Sequence, residues 1–364
     1  EMKILCFIRT LNQGGAERVM SILANELSAR GYQITIVTDI QSPLAYEIRE
    51  QICIRDLYEN IRNLKGFFQK LALHKHIRSI VREESPDVII SFMYGLTYKV
   101  LISLIGMKVP IISSEHACFH NLKDCSFSEY IKRFWINKLA TVVTVLTRRD
   151  YDFIGKRLKH KVVMPNPVSF DVLQDNSHER IKGIMACGSI DRYEIKGFDR
   201  LIRIWGKLAK NYPDWHVDII GGGNEKNMNY VKNLIEESGL SDKIKLLGAS
   251  NDIKNLMRKY PIFALTSRIE GFSLVLVEAM SQGCTCISFD CEAGPREIIN
   301  KDIDGILVPD NDEEMFAKQL SRLIENKELR EKLSSNAINH MQRFSKENIV
   351  NKWESLISNV VNNK

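Results

Sequence analysis

A chain of 364 residues, 44% apolar and 26% charged, has the composition of a globular protein of two domains and excludes a disordered or fibrous one. No window approaches the roughly 18 uncharged apolar residues that cross a bilayer. The net charge of +6 is unevenly spread: residues 1–166 hold 24 Lys and Arg against 16 Asp and Glu, and the remainder 27 against 29.

The excess collects at 62–82, where Phe67, Phe68, Leu71, Leu73 and Ile77 are interleaved, and at 132–161. Such stretches suit an anionic membrane surface, a phosphate-bearing substrate, or a solvated helix face. Nucleic acid is not expected as a partner. Of the eight cysteines, Cys6, Cys187, Cys286 and Cys291 sit in or beside apolar runs, and no Cys-x-x-Cys occurs. The apolar run at 3–8 gives way at once to Arg9, unlike an export leader. Free thiols in a reducing, cytoplasmic setting and no zinc site are therefore expected.

In chain order, 4–8 reads as a buried strand and 17–30 as an amphipathic helix with Val19, Met20, Leu23 and Leu27 on one face. Strands follow at 34–37, 88–92, 111–114 and 141–146. Continuous apolar strands separated by helices predict a parallel sheet covered on both faces. Pro165-Asn166-Pro167 breaks the pattern, which restarts with strands at 183–190, 217–220, 244–247, 262–266 and 285–289 and a helix at 198–210. A last helix, 346–361, carries Trp353, Leu356 and Ile357. The expected fold is α/β, with two doubly wound Rossmann-like domains at 1–166 and 167–345. Their ligands should lie at the carboxyl ends of the strands, in a cleft between the domains.

Four segments carry chemistry. Gly14 and Gly15 open the first helix and expose N–H groups to phosphate or carboxylate, though without a dinucleotide or P-loop spacing. The fourth strand ends in Ser113-Ser114-Glu115-His116, where His116 can hydrogen-bond a sugar or move a proton. Arg192 and Lys196 precede a helix, where paired cations can neutralise a diphosphate leaving group. Finally, Glu270 ends a strand, Phe272, Ser273 and Leu274 open the next helix, and Glu278 lies inside it. Phosphate suits that helix start, and two ribose hydroxyls suit a buried carboxylate.

With these residues the chain resembles a retaining glycosyltransferase of family 4, with the two-domain GT-B fold. The resemblance runs through Gly14-Gly15-Ala16-Glu17, His116, Pro165-Asn166-Pro167-Val168, Lys196-Gly197-Phe198-Asp199, Glu270 to Glu278, 294–309 and the Trp353 helix. It implies that Glu278 binds the nucleotide ribose, Glu270 faces the donor sugar hydroxyls, and Lys196 with a nearby Arg holds the diphosphate. It places His116 near the transferred sugar. Ser189 stands where many members have Arg, so Arg192 is assigned that charge. It implies transfer of a hexose or N-acetylhexosamine from a nucleotide sugar, most commonly a UDP-sugar, to a glycan or lipid diphosphate-linked acceptor. The Ser-Glu-His element and the Gly294-Pro295-Arg296-Glu297 loop look most like bacterial enzymes of lipid-linked glycan, O-antigen or capsule synthesis. The 346–364 segment is expected to cross back to the first domain, and the basic stretch to touch anionic membrane peripherally. No cofactor or metal is implied, and Asp302-Ile303-Asp304 and Asp150-Tyr151-Asp152 read as ordinary acidic residues. A nucleotide-sugar epimerase and a non-catalytic nucleotide-sugar-binding module remain as alternatives.

Overall fold

The computed structural model describes residues 1–119, 126–174, 176 and 179–362. The chain divides into two units, Glu1–Ser169 with Lys346–Lys364, and Phe170–Ser345.

The first unit holds β1 (Lys3–Phe7), β2 (Gln33–Thr38), β3 (Cys53–Asp56), β4 (Val88–Phe92), β5 (Ile111–Ser114), β6 (Val142–Val145) and β7 (Lys161–Val163). They form one parallel sheet in the order β3-β2-β1-β4-β5-β6-β7. Its helices are α1 (Gly15–Ala29), α2 (Gly66–Glu84), α3 (Tyr94–Ser103), α4 (Phe127–Tyr130) and α5 (Arg148–Ile154). The central strands are buried from end to end, which is why they read as unbroken apolar runs. The edge strands β3 and β7 have four and three residues, half-buried or exposed, and show no run to read.

The basic stretch at 62–82 is mostly α2. The one at 132–161 is no single helix. It begins in a turn with an i→i+5 pattern, Ile131–Trp135, passes through a 3-10 turn, Ile136–Leu139, and continues through β6, α5 and β7.

The second unit holds β8 (Gly183–Cys187), β9 (His216–Ile220), β10 (Ile244–Gly248), β11 (Ile262–Leu265), β12 (Ile269–Glu270), β13 (Thr285–Asp290), β14 (Glu292–Ala293) and β15 (Ile306–Pro309). Six of these make a parallel sheet, β10-β9-β8-β11-β13-β15, and β12 pairs with β14 apart from it. The helices are α6 (Tyr193–Lys196), α7 (Phe198–Leu208), α8 (Glu225–Glu237), α9 (Ile253–Lys259), α10 (Leu274–Ser281), α11 (Pro295–Ile298), α12 (Glu313–Glu325) and α13 (Lys327–Met341). The strand expected at 183–190 stops at Cys187, because Ile190 turns into a 3-10 element, Ile190–Arg192. Trp205, Phe198, Phe289 and Phe316 fill the core between sheet and helices.

The last helix, α14 (Lys346–Asn362), belongs to the first unit. Trp353 stacks on Phe92 at 6.4 Å between ring centroids, and Arg30, the C-cap of α1, bonds to Asn351 at 2.6 Å and pairs with Glu354. Asn363 and Lys364 of the expected 346–364 segment lie outside the described residues. Among the described residues no helix is long and apolar enough to cross a membrane.

Candidate active site

Each sheet reverses strand order at one place, between β1 and β4 and between β8 and β11. Loops leaving the carboxyl ends of such strands are where ligands of doubly wound sheets bind. In the second unit these are the 188–197 and 266–274 loops.

Lys196 and Gly197 are pinned between them. Gly197 has φ +68°, and a Cβ there would lie 1.9 Å from the Thr266 carbonyl oxygen, so only glycine fits. The Thr266 hydroxyl donates to the Gly197 carbonyl at 2.8 Å. The Lys196 stem lies over Gly188, where an added Cβ would meet its Cδ at 3.1 Å. Its Nζ donates to Glu270 Oε1 at 2.9 Å, and the Ser267 hydroxyl donates to the same oxygen at 2.6 Å. Both bonds fall on Oε1, so the Oε2 lone pairs remain available to a hydroxyl donor.

Backbone pairing holds Glu270 in place: β12 runs beside β14, and Gly294 packs within 3.1–3.4 Å (measured from an added Cβ) of Ser273 N, the Gly271 carbonyl and Glu270 Cβ. Arg268 fastens the loop from outside, with both guanidinium nitrogens on Asp199 at 2.8 and 2.7 Å and its backbone N–H on the Ile195 carbonyl. Burial opposes ionisation of Asp199, but Arg268 and Arg203 outweigh it and hold its carboxyl below the usual range.

Phe272, Ser273 and Leu274 take the positions expected of them. Ser273 is the N-cap of α10 and Leu274 its first residue, while Phe272 packs edge-on against Phe344. The Ser273 hydroxyl is buried without a hydrogen-bond partner among the described residues, and the first-turn N–H groups point out of the helix end. Glu278 is 2% exposed, one turn along α10 from Leu274. Helical side chains lean toward the N-terminus, which tilts its carboxylate back toward that first turn. Arg192 is exposed at the end of the 3-10 turn, and no carboxylate pairs with it among the described residues. The structure does not bring it into the Lys196–Glu270–Ser267 constellation.

In the first unit, β5 delivers His116. Its ring packs against Phe92 at 4.4 Å, tilted by 32°, and Nε2 lies 3.1 Å from the Ser114 hydroxyl. Thr144 donates to Ser114 at 3.0 Å, which leaves the Ser114 hydroxyl able either to donate to Nε2 or to accept from it, so both tautomers of the neutral ring fit. The ring's Nδ1 is buried and has no hydrogen-bond partner among the described residues. Burial pushes the imidazole down to about 3, so it is neutral at physiological pH.

Glu115 beside it is also buried, held by Asn137 at 3.0 Å and lying 3.7 Å from Arg133. Burial raises its carboxyl above the usual range. Arg133 donates to the Ala117 and Cys118 carbonyls at 2.9 and 3.1 Å and lies over Phe119 at 3.9 Å. Arg133, Asn137 and Thr144 brace the His116 loop, yet nothing in the sequence singles them out. They come from other elements, and Arg133 sits in an irregular turn inside a basic run.

Gly14 and Gly15 do open α1, two residues earlier than the helix expected from 17 onward. Gly14 has φ −171°, an ordinary extended conformation, so a tight turn is not what calls for glycine. An added Cβ would lie 2.1 Å from Glu17 Oε2, the far end of a flexible side chain whose carboxylate folds back over the helix start and can swing aside. Burial raises the pKa of that carboxyl. Among the Asp-x-Asp residues, Asp304 is bonded to Asn300 and His340, and Asp150, in the first turn of α5, accepts from the hydroxyl of the N-cap Thr147 at 3.1 Å and from Phe119 N at 2.8 Å. Their carboxylates serve the fold.

Two family models cover the chain in succession: Glycosyltransferase Family 4 over residues 13–172 and Glycosyl transferases group 1 over 178–340. The lipopolysaccharide 1,6-galactosyltransferase of Salmonella typhimurium is 30% identical over 278 residues, 73% of this chain and 74% of the relative. A Campylobacter jejuni α-1,4-N-acetyl-D-galactosaminyltransferase, named for a glycan acceptor on PP-undecaprenol, is 26% identical over 372 residues and 99% of each chain. Anabaena Alr3699/HepE, solved with UDP and glucose, superposes with a TM-score of 0.80 at 18% identity, covering 99% of this chain and all of that one. The two parallel sheets, the ordered motifs and these matches make one conclusion: the chain belongs to the family 4 glycosyltransferases, with the GT-B fold and relatives that build bacterial surface polysaccharides.

Proposed function

We propose that the chain transfers a hexose or N-acetylhexosamine from a UDP-linked donor, with retention of configuration, to a glycan acceptor carried on a lipid diphosphate. The observation that carries this reading is the Lys196–Ser267–Glu270 constellation beside the unsatisfied N-terminus of α10. The Ser273 hydroxyl and the α10 N–H groups suit the donor phosphates. Lys196 supplies positive charge as the nucleoside diphosphate departs, with Arg192 as a second cation from the same loop. Glu270 accepts from sugar hydroxyls, and Glu278 from the ribose. The neutral His116 hydrogen-bonds a hydroxyl of the transferred sugar through Nδ1, and Gly14 and Gly15 leave room at the α1 start for the ligand once Glu17 withdraws. The acceptor hydroxyl attacks on the face that the diphosphate leaves, giving an α-linkage from an α-linked donor.

Two relations support the substrates: UDP and glucose are bound in the Anabaena neighbour, and PP-undecaprenol stands in the name of the Campylobacter relative. Exposed Phe67 and Phe68 beside Lys65 and Lys75 suit reversible contact with anionic lipid at the membrane surface. No metal takes part.

The test is a thermal-shift screen of nucleoside diphosphates and sugar nucleotides, followed by a transfer assay in EDTA with the anomeric configuration of the product read by NMR. A UDP-specific rise in Tm and an α-product formed in EDTA are expected. A β-product, a requirement for magnesium or manganese, or isomerisation of the donor without acceptor would overturn the reading.

A further inference from the structure

Four cations converge at the carboxyl edge of the first unit's sheet. Arg9 follows β1, and the β1–β4 register, Phe7 beside Ser91, carries it level with Met93, where α3 begins. α2 and α3 lie side by side: His74 Nδ1 is 2.6 Å from the Ser103 hydroxyl, and Arg78 donates to the Ser103 and Ile105 carbonyls at 2.6 and 3.0 Å. One turn back on each helix, Lys70 is level with Lys99. From the other side, Lys132 lies 4.9 Å from the centroid of the Tyr98 ring, with Lys99 at 5.9 Å from the same ring. Burial, and then the charges of Arg9, Lys70 and Lys132, hold the Lys99 ammonium below the usual lysine range.

Among the described residues little acid offsets them: Asp39, whose backbone N–H donates to the Arg9 carbonyl, is engaged by Arg62. Residues 66–78, 94–103 and 126–139 contain one carboxylate, Glu129, which accepts from the Tyr94 hydroxyl at 2.6 Å and closes a capping box with Ser126. Among the described residues none of the four cations has a carboxylate partner, whereas Arg62 is held by Asp39 at 2.8 Å and Asp56 at 2.6 Å. Like charges gathered without a counter-charge cost stability, and an anionic ligand recovers it. The site also has an apolar border. Phe67, Lys70, Leu71 and His74 share one stripe of α2 by their i, i+3, i+4, i+7 spacing, and Phe67 is 73% exposed.

We propose that Arg9, Lys70, Lys99 and Lys132 bind the diphosphate of a lipid-linked acceptor, its hydrocarbon running along Phe67 and Leu71. This rests on the acceptor class proposed above and assigns it a place on the chain. Lysines suit the task, since a point charge on a flexible stem follows a mobile diphosphate without demanding one geometry.

Inorganic pyrophosphate is titrated calorimetrically into the wild type, Lys99→Gln/Lys132→Gln and Lys196→Ala. The lysine double variant should lose at least tenfold in a binding event that Lys196→Ala retains, while binding UDP within twofold of wild type. Removing like charges should leave Tm at or above wild type; if Tm falls, the exposed single variant Lys70→Gln decides in the same titration. Co-sedimentation then separates the sources of phosphate. Polyprenyl diphosphate added to phosphatidylglycerol vesicles should increase wild-type binding, and the double variant should lose that increase but still bind the plain vesicles. Unchanged pyrophosphate affinity in the double variant, no pyrophosphate binding by wild type, or an equal loss on plain vesicles would overturn the proposal. Failure of the wild type to bind UDP would instead count against the donor reading, because it leaves the pyrophosphate result standing.

Discussion

At the scale of single residues, the second-unit site is a set of hydrogen-bond valences with one side already filled. Lys196 and Ser267 saturate Glu270 Oε1, which orients the carboxylate before any ligand arrives. Lys196→Ala should lower kcat by one or two orders of magnitude with little change in donor affinity, since its charge matters most as the phosphates leave. Weaker donor affinity with kcat unchanged would assign it to binding alone. Glu278→Ala should weaken UDP binding by about 1.5–3 kcal/mol per hydroxyl lost, and Glu278→Gln by less, as calorimetry can read. His116 makes a different prediction. Its imidazole ionises near 3 when folded and near its ordinary 6.5 when unfolded, so the unfolded chain takes up the proton first as pH falls. Stability is therefore unaffected above about 6.5 and is lost between 6.5 and 3, at up to about 1.4 kcal/mol per pH unit. Denaturation midpoints at pH 7.5 and 5 should separate less in His116→Gln than in the wild type.

At the scale of elements, one glycine sets the geometry that the chemistry uses. Gly197 joins α6 to α7 in the left-handed region and against the Thr266 carbonyl, and this turn carries Lys196 to Glu270. Gly197→Ala should cost at least about 1–3 kcal/mol from backbone conformation alone, with the carbonyl clash in addition. Gly31→Ala is the control, because Gly31 has φ +90° but open space around it. Equal falls in Tm for the two variants would show that the Thr266 contact relaxes at no cost. Spacing in the sequence made the Glu270–Glu278 element, the α1 start and the Lys196 turn legible. The 131–139 segment was not, because an i→i+5 turn running into a 3-10 turn has no single period to detect.

At the scale of the whole molecule, the sign of charge divides the chain: the positive excess lies in the first 166 residues. Phe68 and Lys75 share the outer side of α2, about 140° around the helix from Lys70 by residue spacing. Vesicle binding through that outer side should be stronger on anionic than on neutral lipid and should be lost near 1 M salt, where the Debye length falls to about 3 Å. Binding that persists at that salt would assign the contact to Phe67 and Phe68 insertion rather than to charge.

Fold class and the order of the motifs were determined by the sequence alone, because buried parallel strands and amphipathic helices write their periods locally and ligand loops follow strand ends. Only the tertiary structure decided which groups meet. Ser267 reaching Glu270 depends on a loop braced by β14; Arg133 and Asn137 reach the His116 loop from a segment with no periodicity. The neutrality of His116 follows from burial against Phe92, and the Lys99 cluster from the packing of α2, α3 and the 131–135 turn. These are contacts between residues far apart in the chain, and their distances depend on how the elements pack, which no local pattern records.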